Sequence, residues 1–163
     1  TKSGKLLVGK RNNSFSLDFP SQPPIPCNIP KNLVAALGAQ PEEVFSAEDL
    51  LVVFGSQNHL EKLTPDFNLL KSLPLRGLIG TSPGIEVDFV SRCFYPKLGV
   101  NEDPVTGSAH CTLSPYWAER LGKNKLKAHQ ISARGGKLQC EIHGDRVLMF
   151  GQAIKYLEGT IEI

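Results

Sequence analysis

Apolar and polar positions change their period several times along this chain, and each change marks an element. Asp49 to Phe54 (DLLVVF) is a short continuous apolar run, the pattern of a buried strand. RGLIGTS (Arg76 to Ser82) and IEVDFVSRCF (Ile85 to Phe94) predict two further strands, flanked by Gly and Pro. From Ser108 to Leu121 the apolar positions Ala109, Leu113, Tyr116, Trp117 and Leu121 recur at helical spacing, and Gly122 supplies a stop. Pro115 inside that segment removes the amide bond to Cys111 and predicts a kink. Lys31 to Leu37, between Pro30 and Gly38, reads as a short helix, as do segments around Leu60 and between Pro65 and Leu73. Lys127 to Ala133, Lys137 to His143, Arg146 to Phe150 and Gln152 to Ile163 read as strands, with ARGGK and HGDR as turns.

At the N-terminus, Lys5 to Val8 and Ser14 to Phe19 are strand-like and separated by the turn-rich KRNN, which predicts a hairpin. PSQPPIPCNIP then places five prolines between Pro20 and Pro30, a linker pattern, because each proline removes a backbone donor and restricts its predecessor. Residues 1–20 and 21–163 are therefore expected to belong to different structural units. The expected fold class is α+β: about eight strands forming a curled, mostly antiparallel sheet around one central helix at about 108–121.

Composition narrows this only a little. A chain of 163 residues with 40% hydrophobic and 21% charged residues suits one globular domain, or one domain and a piece of another. The net charge of +2 is small and its cations are dispersed, so no nucleic-acid partner is expected; the short GKNKLK cluster, Lys123 to Lys127, reads as a solvated helix end and loop. Apolar runs of about five residues are far short of the roughly 20 a membrane span needs, and a cytoplasmic location is the default expectation. Cys27, Cys93, Cys111 and Cys140 form no C-x-x-C pair and no zinc spacing. They read as buried free thiols, with a thiol base as the functional alternative.

Polar groups concentrate in NEDPVTGSAH, Asn101 to His110. If a helix starts near Gly107 or Ser108, the amides of Gly107, Ser108 and Ala109 are unpaired and attract an anion. The context lacks the Gly-Lys-Ser signature of a nucleotide loop, so a small carboxylate fits better. Asp103, held extended by Pro104, suits an acid or base at the same spot, while its neighbour Glu102 should point elsewhere. The bland alternative is that Thr106 or Ser108 caps the helix and Asp103 makes a turn. His110 reads as a core histidine. In SARGGK (Ser132 to Lys137), Gly135 and Gly136 let backbone approach a ligand and Arg134 can grip a carboxylate; the alternative is a hairpin turn with a surface arginine. Arg92 is a further possible anion contact.

The run VDFVSRCFYPKLGVNEDPVTGSAHCTLSPYW, followed by LGK, QISARGG and a closing G-x-A, resembles the second half of the PhzF-like family of phenazine-biosynthesis-type isomerases. The resemblance is specific from about Asp88 to Gly159 and looser back to TKSGKL and SFSLDFP. It implies a diaminopimelate-epimerase-like fold of two lobes, each a curled sheet around a helix, with the site in the cleft between them. On that implication residues 1–20 are the end of a first lobe, residues 21–163 form the second, and the last strand crosses back. Asp103 is then the acidic cleft residue, Ser108 contacts the substrate, and Gly107 and Ser108 present amides to its carboxylate. Gly135 and Gly136, with Arg134, lie beside them. Relatives move a proton within a cyclic hydroxy-amino acid without metal or organic cofactor, using a first-lobe glutamate and a GHAT-type helix start. Neither motif occurs in these 163 residues. The expected partners are thus a carboxylate-bearing small molecule and a first lobe or second chain, with a homodimer as one form.

Overall fold

The computed structural model describes residues 7–11, 14–154 and 156–162. The apolar run at Asp49–Phe54 becomes β5 (Leu50–Val53), and all four of its residues are buried. Its alternate side chains enter two different cores. Leu51 and Val53 join a cluster built around a long helix, α4 (Ala109–Leu121), whereas Leu50 and Val52 join a second cluster under three short helices. These are α1 (Leu33–Leu37), α2 (Gln57–Glu61) and α3 (Phe67–Ser72). A strand covered on both faces reads as a continuous apolar run, which accounts for the LLVV pattern.

Around β5 lie β1 (Leu7–Arg11), β2 (Ser14–Pro20), β3 (Ile25–Pro26), β4 (Glu43–Ser46), β6 (Leu78–Pro83), β7 (Phe89–Tyr95), β8 (Val100–Asp103), β9 (Lys125–Gln130), β10 (Gly136–His143) and β11 (Arg146–Gly151). The described residues form one sheet in the order β1-β2-β11-β10-β9-β7-β6-β5-β4-β3, with β8 beside β7. Pairing is antiparallel except for β5 with β6 and β7 with β9. The fold is thus α+β, a mostly antiparallel sheet curled around a central helix. In the thinner half only one face of the sheet is covered. β9 accordingly alternates, with Leu126, Ala128 and Gln130 facing inward and Lys125 and Lys127 outward.

Helix α4 is buried along most of its first nine residues. Phe89 stacks on Trp117 with ring centroids 5.7 Å apart, and Tyr116 meets Trp117 edge-on. The indole Nε1 donates to Thr81 Oγ1 at 3.0 Å, and Thr81 in turn donates to the Val90 carbonyl at 2.7 Å. Pro115 leaves the Cys111 carbonyl without its helical donor, and the amide of Gln22 takes that place at 2.9 Å.

Several expectations need correction. Gln152–Ile163 forms no strand among its described residues, and Ile154 and Tyr156 are 96% and 99% exposed. Extended apolar sequence makes a strand only where a neighbour accepts its hydrogen bonds. The proline-rich linker contains β3, which among the described residues pairs only with β4 and so tolerates Pro26 at the sheet's edge. Lys123–Lys127 is a helix end and loop only as far as Asn124: the Lys123 amide closes the end of α4 on the Ala118 carbonyl and its ammonium pairs with Asp88 at 2.5 Å, whereas Lys125 opens β9. The short strands β3, β4 and β8 raise the count above the eight expected. Of the N-terminal hairpin, Lys5, Leu6, Asn12 and Asn13 lie outside the described residues; Leu7–Arg11 pairs antiparallel with β2, so Lys10 and Arg11 of the expected turn are strand residues. β2 continues into β11 from Pro20↔Arg146 to Phe15↔Gly151, so this hairpin shares the main sheet.

Thr81→Val keeps the shape of the core but strands the buried indole N–H. It is expected to lower unfolding free energy by about 1–3 kcal/mol in urea titrations. A loss within measurement error would mean the indole bond adds nothing.

Candidate active site

The short strand β8 delivers the two acids to opposite sides. Cys93 lies across from Asp103 and Tyr95 from Val100, with a register irregularity between them. Glu102 turns toward Arg92 and takes a two-pronged ion pair at 2.8 and 2.9 Å. Arg92 also donates to the carbonyls of Leu60 and Leu63 and lies over the Phe94 ring. Its donors are therefore spent on structure, which corrects its reading as an anion contact. Asp103 turns the other way, toward the start of α4.

There Thr106 is the hub. Its hydroxyl donates to Asp103 Oδ2 at 2.5 Å, and its amide donates to Gln130 Oε1 at 2.7 Å. Gln130 Nε2 donates to the Asp103 carbonyl at 2.6 Å and to Thr106 Oγ1 at 3.2 Å. Asp103 Oδ1 carries no hydrogen bond among the described residues. Neither capping expectation holds: the Thr106 hydroxyl is committed to Asp103, and Ser108, at the N-cap, makes no side-chain cap bond. Ser108 is exposed, so its hydroxyl is available at the mouth of the helix. The first helical hydrogen bonds run from His110 to Gly107 and from Cys111 to Ser108. The amides of Gly107, Ser108 and Ala109 thus precede the ladder and form the positive end of a helix of 13 residues.

The glycine turn closes in from β9 and β10. Ser132 Oγ donates to the Pro104 carbonyl at 2.8 Å and accepts from the Gly135 amide at 3.1 Å, tying the turn to the acidic loop. Gly135 has a φ of +71°, which favours glycine, and a side chain at Gly136 would collide with Val105. Asp103, Gly107 and Ser108 therefore border one loop, Gly135 and Gly136 lie at the end of another, and the two loops touch. Arg134 is exposed on the same turn and makes no ion pair among the described residues.

His110 is a core residue, as expected. Nδ1 lies 2.8 Å from the Thr106 carbonyl, so that nitrogen carries the proton, and Nε2 is buried without a partner. Burial pushes its pKa down from 6.5 to about 4, against the pull of the Thr106 carbonyl. Cys93, Cys111 and Cys140 are buried free thiols, as expected, and equally withdrawn from chemistry at neutral pH, whereas Cys27 is only partly buried. Burial pushes Cys111 and Cys140 up to about 11, and Cys93 higher still. Gln130 and Thr106 were missed as site residues. A buried glutamine at the end of an alternating strand, in QISARGG, was the available signal. Among the described residues no group of three or more His, Cys, Asp and Glu is placed to hold a metal ion, and no helix is long and apolar enough to cross a membrane.

Comparison with known proteins agrees with this architecture. The PhzC-PhzF family model, described as phenazine biosynthesis-like protein, matches residues 28–159. A protein of Pseudomonas aeruginosa named as an uncharacterized isomerase is 48% identical over 163 residues, which are the whole of this chain and 63% of that one. A crystal structure of a PhzF-family phenazine biosynthesis protein from Enterococcus faecalis superposes with a TM-score of 0.88 at 46% identity, covering 90% of this chain and 57% of that one. The structure of a PhzC/PhzF protein from Clostridium difficile gives 0.89 at 40% identity, over 99% of this chain and 63% of that one. The chain thus spans less than two thirds of the length of these relatives.

The folded state keeps His110 neutral below pH 6.5, whereas the unfolded chain takes up a proton there. Stability present at pH 7 is therefore expected to fall by about 3 kcal/mol as pH drops through 6.5 toward 4. Histidine ring shifts in a proton NMR titration read this directly. A His110 midpoint near 6.5 in the folded protein would contradict it.

Proposed function

The chain belongs to the phenazine biosynthesis-like family, PhzC-PhzF, and on that premise we propose that it is the second lobe of an isomerase, residues 1–20 being the end of the first. The reaction is a proton transfer within a small carboxylate-bearing substrate. One observation carries the reading: Asp103 stands beside the open amides of the α4 start with Oδ1 unbonded, while Glu102 is sequestered by Arg92. The amides of Gly107 and Ser108 orient the substrate carboxylate, Ser108 Oγ supplies a donor to it, and the Gly135–Gly136 backbone lets the ligand approach closely. Asp103 gives or takes the proton at one substrate atom. The complementary base, a glutamate by family resemblance, lies outside these residues, so a first lobe or a different chain that carries it completes the site. Thiols held protonated by burial weigh against a cysteine-based epimerase.

A second reading has its own support. Ile154, Tyr156, Leu157 and Ile161 form an exposed apolar tail, which favours a role in binding another chain, with the fold kept and the chemistry lost.

In a two-lobe protein carrying this sequence and a first-lobe glutamate, substrate hydrogen is expected to exchange with solvent deuterium. Asp103→Asn should slow that exchange by roughly a hundredfold or more. Undiminished exchange removes Asp103 from the mechanism, and absence of exchange on any hydroxy- or amino-carboxylate favours the binding role.

A further inference from the structure

Asp103 and Thr106 make contact on a loop, yet a residue fixed in the sheet decides the direction of the hydrogen bond between them. Gln130 ends β9, where its backbone pairs with Ser91 of β7 on one side and Gly136 of β10 on the other, and its residue exposure is 0%. Two backbone groups set the orientation of its amide independently. The Thr106 N–H requires an acceptor, which places Oε1 there, and the Asp103 carbonyl requires a donor, which places Nε2 there. With Nε2 so placed, its second proton is directed at Thr106 Oγ1. A hydroxyl that accepts in this direction has its own single proton left for the carboxylate, and it donates that proton to Oδ2.

The geometry points to Gln130 as the positioning residue of this site. Through Thr106 it fixes a hydrogen-bond donor on Asp103 Oδ2, holds the carboxylate in one orientation and leaves Oδ1 as the oxygen offered to substrate. This rests on the reading of Asp103 as the acid–base group. Gln130 is shielded from the reacting atoms by the residues it holds, so it acts only through them. A glutamine is required rather than a glutamate, because the ionised acid accepts at both ends and would oppose both the Asp103 carbonyl and its carboxylate.

Sulfate tests this in the chain itself, because it is a dianion at neutral pH and suits an open helix start. Amide signals of Gly107, Ser108 and Ala109 are followed during sulfate titrations at pH 7 and constant ionic strength, in wild type, Gln130→Met, Thr106→Val, Thr106→Ser and the Met/Val double variant. Sulfate is expected to shift these amides in wild type. Gln130→Met and Thr106→Val, which release the Asp103 carboxylate to turn toward the anion, should each weaken sulfate binding several-fold, the double variant no further, and Thr106→Ser not at all. A folded Gln130→Met with the wild-type sulfate affinity, alongside a weakened Thr106→Val, overturns the role of Gln130 and leaves the reading of Asp103 standing. No shift of these amides in wild type overturns the anion site, and this inference with it. If Gln130→Met does not fold, the two Nε2 protons of wild-type Gln130 decide the matter: both must exchange slowly with solvent, and fast exchange of either overturns the proposal.

Discussion

The enclosure of α4 is the constraint on which the rest of this structure depends. A helix buried from Ala109 through Trp117 presents apolar and small polar groups in several directions at once, and a flat sheet covers only one of them. The strands therefore curl, and β2, β5, β7, β9, β10 and β11 all contribute to a single cluster around it. Buried backbone must also be satisfied, and at Pro115 the chain meets that demand from outside the helix, through Gln22. The helix emerges at its C-terminal end, where Glu119, Arg120 and Leu121 are exposed, and at its N-terminal mouth, where Ser108 is exposed just ahead of the buried Ala109. The free amides of the helix and the acidic loop meet at that N-terminal mouth.

At that opening the separation of Glu102 from Asp103 matters as much as either residue. Two adjacent carboxylates on one side would repel each other and compete for the same positive helix end. Strand alternation sends them apart, and Arg92 anchors Glu102 within a network of helix-terminal carbonyls at Leu60 and Leu63. One charge is made structural so that the other remains free. The arrangement also links the small-helix layer to the site, because the arginine that fixes Glu102 fixes the end of α2 as well.

Much of this was legible in the sequence wherever a pattern reflects one local cause. The helical spacing from Ala109 to Leu121, the Gly122 stop and the proline defect were readable because they concern the helix alone. The two-sided burial of Leu50–Val53 was visible as an unbroken apolar run. Gln152–Ile163 misled because alternation states what a strand would bury and not whether a neighbour exists to pair with it. Arg92 looked available because its partner, Glu102, is ten residues away across a hairpin bulge. Thr106 and Gln130 were unreadable as a pair, since 24 residues separate them and only the parallel pairing of β7 with β9 brings them together.

The proline-rich segment has a consequence beyond the helix it helps to satisfy. It lays β3 along one end of the strand order, where Pro26 offers no N–H and Pro23 and Pro24 precede it. An exposed strand edge is a template on which further chains can polymerise, and proline is one of the residues that disarms it. This end of the sheet is thus blunted against strand addition by its covalent structure. Among the described residues, the opposite end at β1 retains an ordinary peptide edge. Edge-to-edge association is thereby disfavoured at the β3 end, whatever the second chain.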